Sequence, residues 1–563
     1  AMRLTHFFLK TFCVVFAFSI QLCSCVDEKY DLNRDIELKV SFADNGLILP
    51  ESNSAAIELE QIIELNENGQ LITDEDGNYM FYKLGNDLTP TTVTLGQGSL
   101  CNAVEENYIY HFREDPTLET TIKSDKYNTA TMTFSTGVSP QYQPDRITSG
   151  VREFEYITSP LRIDIDIMFE NMSEFASAIS EIRYQIPSFY DLTDEGELVE
   201  RNVSTRGQHR HTINTKGVNF KAVLRDGEML GYNPETGEMT MKGEVKMYCK
   251  VNTAHMDEYE ALDDPRLRIR ITVGTLGTNE VRGRFYQKEQ INIEPITFDD
   301  LPDVVSDEEV VIDIENPVVR LTVDNEVPAG AFVNATMKSV RNGVETAQLQ
   351  IGDENGTAPI YFGPDAIETV WLSREKMEIP DSVRENVVID NIMTLLKKMP
   401  DEITVDGWAH TDSSTAVTIG LNRDYTVRPR YELAVPLKIG RNMKLVYKKD
   451  MDNLHSKLKN IDVEQFRMKA TAKNNIPLDL EMEITPRDAA GNIINGIVLE
   501  QSQKIKAMGN TDIELTLHGC PADFSELETI ELKAYATSNE KMAGQQLNKK
   551  QALMMENVKV TVK

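Results

Sequence analysis

The feature that most constrains this chain is the run Leu161 to Phe169, in which Leu161, Ile163, Ile165, Ile167 and Phe169 alternate with Arg162, Asp164, Asp166 and Met168. A period of two places every apolar side chain on one face of a strand and every polar one on the other, a pattern that a helix cannot bury. Further strand-like stretches recur along the chain. They include Val218 to Leu224, Met239 to Val251, Leu267 to Val273, Val318 to Val323, Ile403 to Trp408, Tyr431 to Ile439, Phe466 to Thr471, Ile513 to Leu517, Ile530 to Ala536 and Val558 to Val562. Turn signals such as Asp76-Gly77, Asp406-Gly407 and Asn495-Gly496 punctuate them. Regularly spaced short strands of this kind indicate a mainly β protein of tandem antiparallel β-sandwich domains, Ig-like or LEA-like in type.

One segment breaks the rule. Ser382-Val383-Arg384-Glu385 has the form of a capping box, Val383, Val387, Val388, Met393, Leu395 and Leu396 follow around successive turns, and Pro400 closes the segment. An amphipathic helix near 383–399, inserted among the strands, is the expectation. A second local pattern occurs twice: Glu315-Asn316-Pro317 and Lys473-Asn474-Asn475-Ile476-Pro477 each separate two strands, as at a corner of a sandwich. This corner pattern also resembles the LEA-like, water-stress sandwich.

The first residues address location. Met2 to Ser24 carries Arg3 and Lys10, then an apolar stretch from Phe12 to Ile20, then small residues. This is the layout of an export signal, and the stretch is well short of the ~20 residues a membrane span needs. Leu22-Cys23-Ser24-Cys25 supplies an apolar residue three places before Cys25 and a small one immediately before it, so Cys25 is the expected lipidation site. An ordinary secretory cleavage nearby is the alternative reading. The expected layout is a signal peptide over 1–24, a tether over 25–37, an N-terminal β domain over 38–155, and β-sandwich domains over 156–300, 301–450 (carrying the helix) and 451–563, with an acidic linker at 294–310.

Cys25 to Ile36 (CVDEKYDLNRDI), the short element AIELEQIIEL and the aromatic strand DGNYMFYKLG together resemble the opening of a family of Bacteroidota envelope lipoproteins. The resemblance implies tandem β-sandwich modules and an outer-membrane location, cell-surface or periplasm-facing, in company with nutrient-uptake systems. It brings no catalytic residues.

Candidate chemistry is sparse. The formal charge of −32 argues against nucleic acid as a partner. Asp74 and Asp76, before Gly77, have the oxygen spacing of a calcium loop but lack the later bidentate Glu, and Asp353-Glu354-Asn355-Gly356 is a weaker copy. His209 and His211 share one strand face, with no third ligand indicated. Cys101, Cys249 and Cys520 are widely spaced thiols that suggest no disulfide framework. No nucleophile motif occurs, Gly96-Gln97-Gly98-Ser99 being a loop, and no zinc-protease or phosphate-loop signature is present. Trp371 and Trp408 are the ligand-binding candidates, by stacking on sugar rings, although their alternating surroundings favour the core. The expectation is a non-catalytic, cofactor-free binding or structural protein whose partners are the membrane, through its lipid, and a glycan or outer-membrane proteins. A fimbria-related subunit and a glycan hydrolase are the alternatives.

Overall fold

The computed structural model describes residues 41–43, 46–48 and 54–563, less residue 64 and the segments 66–68, 86–89, 95–99, 116–118, 123–128, 148–149, 195–197, 278–279, 299–300, 353–357 and 456–463. Cys25 lies outside the described residues. The chain is built from strands paired antiparallel with one parallel exception among the described residues, and the alternation seen in the sequence becomes burial. In the Arg162–Glu170 strand Ile163, Ile165, Ile167 and Phe169 are all buried.

Three sandwiches share one plan. In the first, six strands follow one another: Arg162–Glu170, Ala178–Gln185, Val199–Ser204, Gln208–Asn219, Val245–Thr253 and Arg266–Val273. The first of these pairs with the fourth and sixth to make one sheet, and the second pairs with the third and fifth to make the other. The second sandwich repeats this pairing with Val318–Asn325, Ala331–Arg341, Val344–Ile351, Ala366–Ser373, Glu402–Thr411 and Asp424–Pro436. In the third, Gln465–Asn474 pairs with Gly509–His518 and Ala552–Val562, while Asp479–Asp488 pairs with Leu527–Thr537. Its third position is reduced to single bridges, Arg487 to Ile493 and Leu480 to Ile505. Each sandwich also takes a leading strand from the segment before it, always laid against the fifth: Ala130–Val138, Lys288–Thr297 and Lys444–Met451. Three apolar cores form, one centred in each sandwich, and the second reaches into sandwich three through Leu445, Ile476 and Leu478.

Among the described residues, the N-terminal domain expected over 38–155 does not stand apart. Those residues are distributed over all three sandwiches instead. Leu47 and Ile48, then Ile57–Glu58, pair with the sixth strand of sandwich three. Tyr79–Gly85 and Thr91–Thr94 pair with the sixth strand of sandwich two, and Val104–His111 with that of sandwich one. The segment runs as a strap that closes the same edge three times, in the reverse of chain order. An unpaired edge is a row of open donors and acceptors, so a strap of this kind satisfies the backbone groups of each sixth strand, and in sandwich one Val104–His111 becomes the outer edge in its place.

The helix near 383–399 is absent. Glu385–Val388 is a strand laid parallel to Val370–Ser373, and Ile392–Leu395 is one 3-10 turn. The run Val387-Val388-Ile389 is β-branched and stiff, which favours the extended backbone. The apolar residues are buried nonetheless, with Ile389, Ile392, Met393, Leu395 and Leu396 in the core of sandwich two. The expected linker at 294–310 is likewise structural. It ends one strand at Thr297 and forms the short helix Asp303–Ser306, with Val304 and Val305 buried.

The corner repeat is real, but its partner was misplaced. Asn474 is matched by Asn325 rather than by Asn316. Both are buried at the end of a first strand in the pattern Asn-x-(Val/Ile)-Pro. Asn325 Oδ1 accepts from Val327 N, and its Nδ2 donates to Ala329 O and Gly363 O. Asn474 Oδ1 accepts from Ile476 N, and its Nδ2 donates to Leu478 O and Lys506 O. Each amide saturates the backbone where the chain crosses from one sheet to the other. Asn316 instead bonds the backbone of Glu375.

Candidate functional site

The outer face of sandwich two, on the sheet formed by Lys288–Thr297, Glu402–Thr411, Ala331–Arg341 and Ile360–Phe362, carries a row of rings. On each strand one parity packs inward, as Ile291, Val333 and Ala409 do, and the other faces out. Phe332 lies across from His410 on one side and from Tyr361 on the other. Tyr286, at the strand's edge, follows on. Ring centroids are 5.6 Å apart for Tyr286 and His410, 5.5 Å for His410 and Phe332, and 5.2 Å for Phe332 and Tyr361. The row crosses four neighbouring strands, on the order of 15 Å at ~4.8 Å per strand.

Cations cap both ends. The Arg152 guanidinium sits 5.0 Å over Tyr286 and that of Arg384 5.6 Å over Tyr361. Trp408 stands beside the row, 40 % exposed, with Lys288 Nζ 4.7 Å above its ring. Exposed Gln290 and Asp406 extend the same face with hydrogen-bonding groups. Such a surface offers flat apolar patches edged by amide, carboxylate and cationic groups, which suits a ring that is apolar on its faces and hydroxylated at its rim.

Trp371 does not join it. It occupies the outer face of the opposite sheet under Arg320, whose guanidinium lies 5.3 Å from its ring. Neither tryptophan is in the core, contrary to what their surroundings favoured. Tyr286, Phe332, Tyr361 and His410 were not singled out from the sequence, yet a signal existed. Phe332 shares parity with Asn334, Thr336 and Lys338, and Trp408 with Asp406 and Thr404, so each large ring falls in the polar phase of its strand.

The other candidates resolve into architecture. Asp74 Oδ1 accepts from Asp76 N at 3.0 Å and from Asn78 N at 2.8 Å, and Gly77 has φ 83°. The Asn78 side-chain amide, donating to Asp74 Oδ2 at 3.0 Å, and then these backbone bonds hold the Asp74 carboxyl below its ordinary range. Asp488 makes the same turn with Ala490 and Asn492, where Ala489 and Ala490 replace Glu75 and Asp76. The turn therefore needs no second acid, and its carboxylate is occupied by backbone N–H groups. Asp353-Glu354-Asn355-Gly356 and Gly96-Gln97-Gly98-Ser99 lie outside the described residues.

His209 and His211 are brought to one carboxylate. Glu200 Oε1 is 2.9 Å from His209 Nε2, and its Oε2 is 3.1 Å from His211 Nδ1. Tyr184 OH donates to Oε2 at 2.8 Å, and its ring stacks on His211 at 4.4 Å. The cluster ties one sheet of sandwich one to the other. Among the described residues no three His, Cys, Asp or Glu are arranged to hold a metal ion. Cys101 and Cys249 are buried and Cys520 is exposed, all as free thiols.

No family model and no curated relative matches the chain. Among solved structures, similarity is found to a Parabacteroides distasonis protein described as secreted, at TM-score 0.37 and 13% identity, over 50% of this chain and 90% of that one. The VP2 protein of infectious bursal disease virus aligns over 90% of this chain and 82% of its own at TM-score 0.12 and 9% identity. Likenesses this weak say nothing of activity. No helix among the described residues is long and apolar enough to cross a membrane.

Proposed function

We propose that this protein is a non-catalytic glycan-binding component of the bacterial envelope, held at the outer membrane by a lipid on Cys25 and accessory to nutrient uptake. The observation that carries the reading is the row Tyr286, His410, Phe332 and Tyr361 with Trp408 beside it, on a face whose residue parity should be polar. Trp408 is exposed and the four rings of the row are only half-buried, so part of their burial is forgone, and a ligand covering them would restore it. The reading of a fimbrial subunit is weakened by the strap, which already occupies the sixth-strand edge of all three sandwiches.

The test is titration of the soluble chain with oligosaccharides chosen from a glycan array. Trp408→Ala should weaken a positive ligand roughly tenfold, the loss of about 1.4 kcal/mol of ring contact. Trp371→Ala, on the opposite sheet, should leave affinity unchanged. Absence of any glycan ligand, or equal effects of the two variants, would remove this face as the site.

A further inference from the structure

The three sandwiches treat one shared face differently. It is the outer face of the sheet that joins the leading, fifth and second strands, and in each copy the fifth strand turns one large ring outward: Tyr248 in sandwich one, Trp408 in sandwich two and Tyr535 in sandwich three. In sandwich three the chain itself covers this face. Tyr535 OH donates to Glu309 Oε2 at 3.2 Å, Lys533 Nζ lies 3.2 Å from Glu309 Oε1 and Lys444 Nζ 3.5 Å from Oε2, while Lys448 pairs with Asp307 at 2.6 Å. A tyrosine set among lysines there receives a carboxylate.

Sandwich one repeats these groups and leaves them open. Lys246, Tyr248 and Lys250 share parity on the fifth strand, between buried Met247 and Cys249. Tyr248, 44 % exposed, lies across from Arg183 on the second strand and Ser135 on the leading strand, and Lys250 across from Glu181 and Thr133. Because Thr133 and Ser135 are small and exposed beside these long side chains, an open groove of about 360 Å³ forms, walled on its other side by Glu181 and Arg183. Among the described residues of this face, the cations Arg183, Arg201, Lys246 and Lys250 outnumber the carboxylates Glu181 and Glu244, in a chain whose formal charge is −32. Glu181 accepts from Arg183 Nε at 2.6 Å and lies 3.5 Å from Arg201, and Glu244 lies 3.3 Å from Lys246. Lys250 makes no ion pair among the described residues. The Tyr248 hydroxyl donates to Gln185 Oε1 at 3.1 Å, which fixes the ring at its tip. A ring platform, two small hydroxyls and an unneutralised ammonium match a sugar ring that carries a carboxylate.

We propose that this groove of sandwich one binds a hexuronate unit of an acidic glycan, its ring against Tyr248 and its carboxylate on Lys250 and the Arg183 guanidinium. The site is separate from the row of rings on sandwich two, and each stands or falls without the other. The experiment is calorimetric titration of the whole soluble chain with short oligomers of galacturonate, glucuronate and mannuronate, each beside its methyl ester, and with oligoglutamate as an acidic chain that lacks sugar rings. At least one oligouronate should bind saturably, with its ester roughly tenfold weaker. Lys250→Met should weaken that uronate about tenfold and leave the ester unchanged. Tyr248→Ala should weaken acid and ester alike, and Trp408→Ala should change neither. The positions are exposed, so the thermal midpoints of all three variants should match that of the parent. Saturable binding of none of the oligouronates, equal affinity for acid and ester, oligoglutamate binding as tightly as the uronate, or equal losses from Tyr248→Ala and Trp408→Ala would overturn the assignment.

Discussion

Replacing Asn325 by Asp is the sharpest probe of the corner on which sandwich two turns. The side chain is only 2 % exposed, and its amide makes three bonds to backbone: it accepts from Val327 N at 3.1 Å and donates to Ala329 O at 3.1 Å and Gly363 O at 2.8 Å. Asp keeps the shape and the accepting oxygen. It removes both donations and sets a carboxylate against two carbonyl oxygens that have lost their partner. Net hydrogen bonds are worth about 1 kcal/mol each, and a buried unpaired acceptor or charge costs more, so the loss should be about 3–5 kcal/mol at neutral pH. The chain's two tryptophans, Trp371 and Trp408, lie on opposite sheets of this sandwich, so their fluorescence reports its unfolding. With a urea slope of roughly 2 kcal/mol per M, the midpoint should fall by about 1.5–2.5 M. The variant carboxyl is easier to bury neutral than charged, so its penalty should shrink as pH falls and protonation restores one donor. Asn474→Asp, in sandwich three, should shift the same tryptophan transition much less. A midpoint shift under about 0.3 M for Asn325→Asp would refute the reasoning, since it would mean that water or backbone movement satisfies the corner without the amide.

Tyr79, fully buried on the strap, has a hydroxyl with no hydrogen-bond partner among the described residues; Tyr79→Phe should therefore raise the urea midpoint, by about 1 kcal/mol in stability, and a fall would show that the hydroxyl is satisfied. Asp166, 4 % exposed, is gripped by Arg210 at 2.7 and 2.9 Å and by Arg270 at 3.0 and 2.7 Å, and these bonds, Arg210 foremost, hold its carboxyl well below the ordinary range. A depressed carboxylate contributes stability above its unfolded value near pH 4 and loses it as pH falls toward the folded one. Hydrogen exchange in the Arg162–Glu170 strand should accordingly show Asp166→Asn destabilising by about 2 kcal/mol at pH 7, discounted for the half-exposed arginines, with the gap to the parent narrowing below about pH 4. A gap independent of pH would count against the pairing. Burial pushes the Cys249 thiol up to about 12 and also raises that of Cys101, whereas Cys520 is exposed. Iodoacetamide at pH 8 should label Cys520 and spare the other two until the protein is unfolded, as peptide mass mapping would show; early labelling of Cys249 would contradict its burial.

Much of this architecture is written locally. The alternation of Ile163, Ile165 and Ile167 and the hairpin turn from Asp74 to Asn78 depend on neighbours in sequence, and both form as their residues dictate. The site was half legible. Trp408 stands out as an aromatic residue, but Tyr286, Phe332, Tyr361 and His410 become a row only when strands as far apart in sequence as those of Tyr286 and His410 lie side by side. Val387 and Val388 show the opposite failure. Their spacing allowed a helix, and a parallel neighbour, Val370–Ser373, supplied the backbone partners that made a strand the better state.

By itself, then, the sequence determined the period of each segment, the turn chemistry and therefore the mainly β character, because side-chain parity and turn geometry are properties of a few consecutive residues. Tertiary structure alone decided that Leu47 would meet Val562 and that Tyr79–Gly85 would pair along the edge of sandwich two. The physical reason is that backbone donors and acceptors are the same at every residue. Pairing between distant strands is chosen by which apolar faces bury together, and that sum is taken over the whole fold.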